Sequence, residues 1–202
     1  TTVHQLGGGE AQRAAEHGVG LAQQLGLRPC LHPTQLLGAH AALTDASGAI
    51  PVVLTVFGPC VGGPALLLGL ADHVVMTSEA YAYVNGPRAA ASFTGVETSH
   101  VDLGGAEVHA NRSGVASVVV LDEGEAAAVV ADLLSYLPSN NQAAAPRMLP
   151  TDPITGSIDD SLTAEDLELD TLMPDSANQP YDMHEVIRRI LDDDEFLEVQ
   201  AE

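Results

Sequence analysis

Apolar residues recur along this chain at two spacings, and the switches between them mark its elements. Over residues 10–25, Ala14, Val19, Leu21, Ala22 and Leu25 share one side at helical spacing. Gly26 is placed to end that helix, although Gly18 and Gly20 weaken it. Residues 29–33 are too short and too proline-bounded to read as a strand. The spacing predicts a second helix over 34–43, closed by the turn residues Asp45, Ala46, Ser47 and Gly48. Residues 50–57 form a β-branched run between glycine and proline punctuation, the pattern of a strand buried on both faces. Residues 64–70 open a helix, with Pro64 where its missing N–H costs little. Short strands follow at 72–76, 80–84 and 118–121. Gly104-Gly105-Ala106 and Ser113-Gly114-Val115-Ala116 read as tight crossings. The clearest helix spans 123–137, where Ala127, Val130, Leu133, Leu134 and Leu137 recur at helical spacing before Pro138. Residues 138–180 are rich in Pro, Asn, Asp and Ser and read as an extension or linker, followed by an amphipathic helix at 183–191. Short strands with intervening helices predict an α/β layered domain, and leave strand order open.

Composition narrows the function. With 202 residues and 46% hydrophobic content, the chain can bury a substantial core and is not a disordered protein. Its longest apolar stretches, 49–57 and 64–71, suit buried elements and are too short to cross a membrane. The formal net charge is −21, with no lysine and seven arginines. Residues 151–202 alone hold 16 acidic side chains against Arg188 and Arg189. Such a surface repels nucleic-acid phosphates and anionic lipid, which argues against both as partners. A phosphate-bearing ligand such as coenzyme A would need local arginines, for which Arg28, Arg88 and Arg112 are the candidates. Cys30 and Cys60 lack metal-ligand spacing and fit reduced, buried thiols. With no signal peptide read in the sequence, this predicts a cytoplasmic location.

The candidate chemistry centres on Phe57-Gly58-Pro59-Cys60-Val61-Gly62-Gly63-Pro64. Adjacent glycines at the mouth of a buried helix let a planar thioester carbonyl approach the backbone. The N–H groups of Gly62 and Gly63 could then face an oxygen as it gains negative charge. Such a hole serves deprotonation, carboxyl transfer or decarboxylation, because each passes through an enolate. A tight turn without a catalytic role would leave the same residues. Tyr81, Tyr83 and Asn85 are candidates to line the opposite wall. His17, His32, His40, His73, His100, His109 and His184 show no metal-binding spacing, so no metal site is expected. No G-x-S-x-G elbow, phosphate-binding loop or dinucleotide fingerprint occurs, which disfavours a nucleophilic hydrolase.

Several longer runs carry a resemblance: FGPCVGG (57–63), LADHVVM (70–76), VNGP (84–87), FTG (93–95), DLGGAEVHANRSGVA (102–116), LLSYLPSNN (133–141), ELDTLMPDSANQPYDMHEVI (168–187) and ILDDDEF (190–196). Together they resemble the carboxyltransferase β subunits of acyl-CoA carboxylases, the propionyl-CoA type in particular. The likeness covers roughly residues 49–200, with a weaker match through 7–28. It implies a crotonase-like (ClpP/crotonase) spiral ββα domain over residues 1–145, N-terminally incomplete relative to the family. Residues 146–202 would be an acidic, interface-forming extension with a terminal helix. In that family two such domains cooperate across a subunit interface, the first on the acyl-CoA and the second on carboxybiotin. Gly62 and Gly63 match the glycine pair of the first domain. Cys60, Tyr83, Asn85, Gly86, Arg88 and Arg112 lie within or beside matching runs and, with Arg28, complete the candidate substrate-binding set. The resemblance also implies coenzyme A thioester as substrate and biotin carried on a separate protein. It further implies a homo-oligomer, a trimer or a hexamer of two stacked trimers.

The departures are specific. The family's Gly-Gly-Ala-Arg loop is replaced around His32-Pro33-Thr34, a lysine position by Ala89-Ala90-Ala91, and a histidine pair by Ser117-Val118. A second domain and a complete carboxybiotin site are not expected from these residues. Three readings therefore stand: a first-domain carboxyltransferase subunit needing a partner, a biotin-independent decarboxylase of a malonyl- or methylmalonyl-type thioester, and a non-catalytic assembly subunit.

Overall fold

The run at 50–57 forms the central strand, β2 (Val53–Val56), and all four of its residues are buried. In this computed structural model, residues 2–4, 33–147, 171–172, 174, 176, 178–191 and 195–200 are described. Helix α1 (Pro33–Ala46) precedes β2, and the turn between them passes through Gly48, whose φ of 72° favours glycine. Strand β1 (Thr2–His4) pairs antiparallel with β2, while β4 (His73–Thr77) and β6 (Val118–Val120) continue the sheet in parallel. The order is β1-β2-β4-β6. Parallel strands need crossover connections that cover the sheet, which is why β2 and β4 are apolar on both faces.

Each crossover first adds a strand to a second, smaller sheet. Strand β3 (Pro59–Val61) follows β2, and β5 (Tyr81–Tyr83) follows β4; the two pair in parallel, Val61 opposite Tyr83. A helical segment then returns the chain. After β3 it is a 3-10 helix, Gly63–Leu70. After β5 come α2 (Pro87–Thr94), α3 (His100–Gly104), α4 (Ala106–Val108) and a π-helical turn, His109–Ser113. Strand–strand–helix thus repeats as a ββα spiral, completed by β6 and α5 (Glu123–Tyr136). Leu43, Leu54, Val56, Cys60, Leu67, Met76 and Ala116 meet in the core.

The glycines at 104–105 permit the closest packing. A Cβ on Gly104 would overlap the carbonyl oxygen of Ala82, and one on Gly105 would lie 2.7 Å from the Val101 oxygen. The end of α3 can therefore rest on β5 only without a side chain at Gly104, and the backbone turns back on its own helix at Gly105.

The structure adds to the sequence-based expectations and changes one. Residues 63–70 coil as a 3-10 helix, which turns Leu67 and Leu68 into the core within a short crossover. Helices α2 to α4 were not anticipated: α2 buries none of its residues, so no apolar stripe marks it. Its signal is punctuation, Pro87 at the start and Gly95 at φ 71° at the end. The helix read at 10–25 lies outside the described residues.

The chain divides into two compact units, Thr1–Pro146 with Val199–Glu202, and Arg147–Glu198. In the second unit, α6 (Met183–Ile190) is capped by Asp182, whose carboxylate accepts the His184 N–H. None of the described helices is long and apolar enough to cross a membrane.

Candidate functional site

The glycine turn lies where β3 hands over to the 3-10 helix. That is the carboxyl edge of β2, because the helix must run back to begin the parallel strand β4. Ligands of α/β sheets favour this edge. Gly62 sits at φ 72°, ψ −136°, a conformation closed to other residues, and caps the helix. Its N–H donates to the Tyr83 carbonyl at 2.9 Å, and its own carbonyl accepts from Ala65 N at 3.1 Å. Pro64 has no N–H. The Gly63 N–H, first in the helix, has no intrahelical carbonyl to meet.

The expectation of two adjacent donors therefore changes to one. Gly62 supplies the bend, and its N–H is committed to the β3–β5 ladder. Gly63 supplies the donor and close packing, since a Cβ there would overlap Leu36 Cδ2 of α1. The first turns of α1 and of the 3-10 helix are thus neighbours.

Cys60 is also corrected. Alternation along β3 buries it at 2% exposure while Pro59 and Val61 face out, so its side chain packs the core and does not line a surface site. Tyr83 lies on the outer face of β5 with Tyr81, between which Ala82 points inward. The two phenol rings stack at 5.7 Å between centroids, and His100 at the start of α3 packs against both, 5.1 Å from Tyr81 and 5.8 Å from Tyr83. The Tyr83 hydroxyl hydrogen-bonds His100 Nδ1. Removal from water, then the neighbouring Tyr81, holds the Tyr83 phenol above its ordinary pKa. His100 is held by its helix: the Ser99 oxygen caps α3 by accepting the Asp102 N–H at 3.0 Å. Sequence reading named His100 only as a histidine without metal-ligand spacing and gave it no place at the site, because only the β5–α3 packing brings it to Tyr83.

Asn85 is exposed, and Gly86 is the N-cap of α2. Arg88 in the first turn of α2 and Arg112 in the π-helical turn are exposed, and among the described residues neither hydrogen-bonds the glycine turn. Arg28 lies outside the described residues. His109 is spoken for, with Nε2 at 2.8 Å from the Ala82 carbonyl and Nδ1 at 2.8 Å from Ser113 Oγ. Ser117, at the position of the family's histidine pair, is buried and accepts the Val74 N–H at 3.2 Å. No group of three metal-ligating side chains occurs among the described residues. A cavity of about 240 Å³ lies at the other end of β2 and β4, lined by Ile50, Pro51, Asp72, His73, Leu137 and Asn141 among others, away from the glycine turn.

Comparison with known proteins gives this geometry a context. The family model for the carboxyl transferase domain matches residues 15–202. The chain is 50% identical over 157 residues to the biotin-dependent acetyl-/propionyl-coenzyme A carboxylase beta5 subunit of Mycobacterium leprae, covering 77% of this chain and 28% of that protein. It is 40% identical over 158 residues to the methylmalonyl-CoA decarboxylase subunit alpha of Veillonella parvula, covering 78% and 30%. The chain thus spans less than a third of the length of these relatives. Among solved structures it resembles transcarboxylase 12S with hydrolysed methylmalonyl-coenzyme A bound, with TM-score 0.73 and 30% identity over 83% of this chain and 31% of that one. The ββα spiral with its glycine turn is accordingly a crotonase-like carboxyltransferase fold, and the chain belongs to the carboxyl transferase domain family, among the relatives of propionyl-CoA carboxylase β chains.

Proposed function

We propose that this chain stabilises the enolate of an acyl-CoA thioester, as the acyl-binding part of a carboxyltransferase. A second carboxyltransferase domain would hold carboxybiotin, presented by a separate carrier. The observation that carries this reading is the Gly63 amide at a helix start, which meets no acceptor among the described residues, while the N–H groups of Gly62 and Ala65 are committed and Pro64 has none. A fixed donor is worth most to an oxygen that gains charge during reaction. Names among the relatives point to the same chemistry, carboxylation of acetyl- and propionyl-coenzyme A. Against the overall negative charge, Arg88 and Arg112, with Arg28, are the candidate cations for a coenzyme A phosphate.

Gly63→Pro tests it by deleting the donor at a position where helices accept proline. In the enzyme assembled with its carrier, ATP and bicarbonate, this variant should lose on the order of 100-fold or more in kcat. Turnover equal to the parent would remove Gly63 from the mechanism.

A second reading has support in the decarboxylase relative. Loss of CO2 from a malonyl-type thioester also ends in an enolate at this oxygen. Release of CO2 from methylmalonyl-CoA without any carrier, abolished by Gly63→Pro, would favour it over carboxyl transfer. Thioester binding with neither activity would leave an assembly role. The solved relative is described as a hexamer, and we assign the acidic segment 146–202 to assembly. Deleting residues 181–202 should then lower the mass seen by light scattering; an unaltered mass would refute that assignment.

A further inference from the structure

We infer that the Tyr83 hydroxyl is a second hydrogen-bond donor to the enolate oxygen beside Gly63, and that His100 is the residue that orients it. This rests on the enolate reading of the glycine turn. Among the described residues, the Gly63 N–H is the one of the four at the turn that meets no acceptor, because those of Gly62 and Ala65 are committed and Pro64 has none. One amide is a thin match for an oxygen carrying nearly a full charge, since an anionic oxygen accepts two or more hydrogen bonds.

Tyr83 is a polar side chain that the β3–β5 pairing brings beside the turn. It stands opposite Val61 in the parallel β3–β5 ladder, and its carbonyl receives the Gly62 N–H. Its Cα is therefore about 5 Å from the strand that ends in Gly62-Gly63. Ala82 and Cys60 fill the inner face, so the phenol lies on the outer face with half-exposed Val61. A neutral phenol can donate to an anionic oxygen.

His100 decides where that donor points. When Nδ1 accepts from Tyr83, the phenol proton is used within the pair. When Nδ1 carries the proton, its N–H donates to the phenol oxygen and the Tyr83 O–H is released to a ligand. Stacking on Tyr81 and the Ser99 cap hold the imidazole in place for either role. Tyr83 would touch the reacting oxygen; His100 would act through it as a positioning residue.

The test uses two coenzyme A thioethers on the full chain, followed by calorimetry. One carries a nitronate, planar and anionic like the enolate; the other carries the matching uncharged alkyl group. The parent should prefer the nitronate. Tyr83→Phe should weaken nitronate binding about 10- to 100-fold, the range for a hydrogen bond to a charged group, and leave the alkyl thioether unchanged. His100→Phe keeps a ring in the stack, removes the partner and should weaken nitronate binding selectively. A parent that prefers the nitronate, lost in Gly63→Pro but kept in Tyr83→Phe, would overturn this inference and leave the enolate reading standing. A parent with no nitronate preference would overturn both.

Discussion

At the scale of single residues, the two glycines of the turn do different work, and substitution separates them. Gly62 needs its positive φ, so Gly62→Ala should cost about 1–3 kcal/mol in urea unfolding although nothing stands in the way of its Cβ. Gly63→Ala meets only the far end of the Leu36 side chain, which can swing aside, and should cost less. Equal losses would refute the division of roles. His184 makes a prediction about pH. Its Nε2 meets the Glu198 carboxylate at 2.9 Å and its Nδ1 meets Asp182 at 2.9 Å, and hydrogen bonds to both raise its pKa, Glu198 foremost. Both nitrogens can donate only in the imidazolium. A raised folded-state pKa gives stability that is fully present below about pH 6.5, the unfolded value, and lost as pH rises through the folded one. Asp182, lowered first by the His184 backbone N–H and then by its ring, contributes in the opposite window, above about pH 4 and lost as pH falls. NMR titration should place the His184 midpoint above that of a free histidine; a midpoint at or below it would break the bridge. The pairing of glycines was legible in the sequence, but which amide remained free was not, because it depends on Tyr83, 21 residues away.

Among the elements, those with dense local signals were read correctly. Helix α5 was anticipated from apolar spacing, and the structure adds its cap: Asp122 accepts the Glu125 N–H at 2.9 Å, and Glu125 accepts the Leu121 N–H at 2.7 Å. Asp122→Ala should cost about 1 kcal/mol in a denaturant titration, with no change in the slope; a neutral effect would show the cap to be redundant. Strand β2 was legible for a different reason. A strand covered on both faces has no polar positions to disguise it, and Val53 to Val56 are all buried. Helices α2 and α3 were missed because their residues are mostly exposed, Phe93 at 92%, and only their end residues carry a signal. The 3-10 form of 63–70 was equally hidden, since its Leu67 and Leu68 would suit an α-helix in any other crossover.

For the whole molecule, charge is the property that composition alone controls. A net charge of −21 without lysine leaves repulsion in the folded state that salt can screen, as the Debye length falls from about 10 Å at 0.1 M to about 3 Å at 1 M. The melting temperature should therefore rise between 0.1 and 1 M sodium chloride; a flat or falling trend would show that repulsion among the acidic side chains does not limit stability. The sequence by itself determined the acidity, the α/β class, the buried strands and the position of the glycine turn, because each of these is written in neighbouring residues. It also held irregular runs such as SYLPSNN long enough to point to the carboxyl transferase family before any geometry was known. Only the tertiary structure decided the order β1-β2-β4-β6, the burial of Cys60, the commitment of the Gly62 N–H to Tyr83, and the meeting of Tyr83 with His100. The physical reason is that these depend on hydrogen bonds and contacts between residues far apart in the chain, whose partners are chosen when the two sheets form and not by any local pattern.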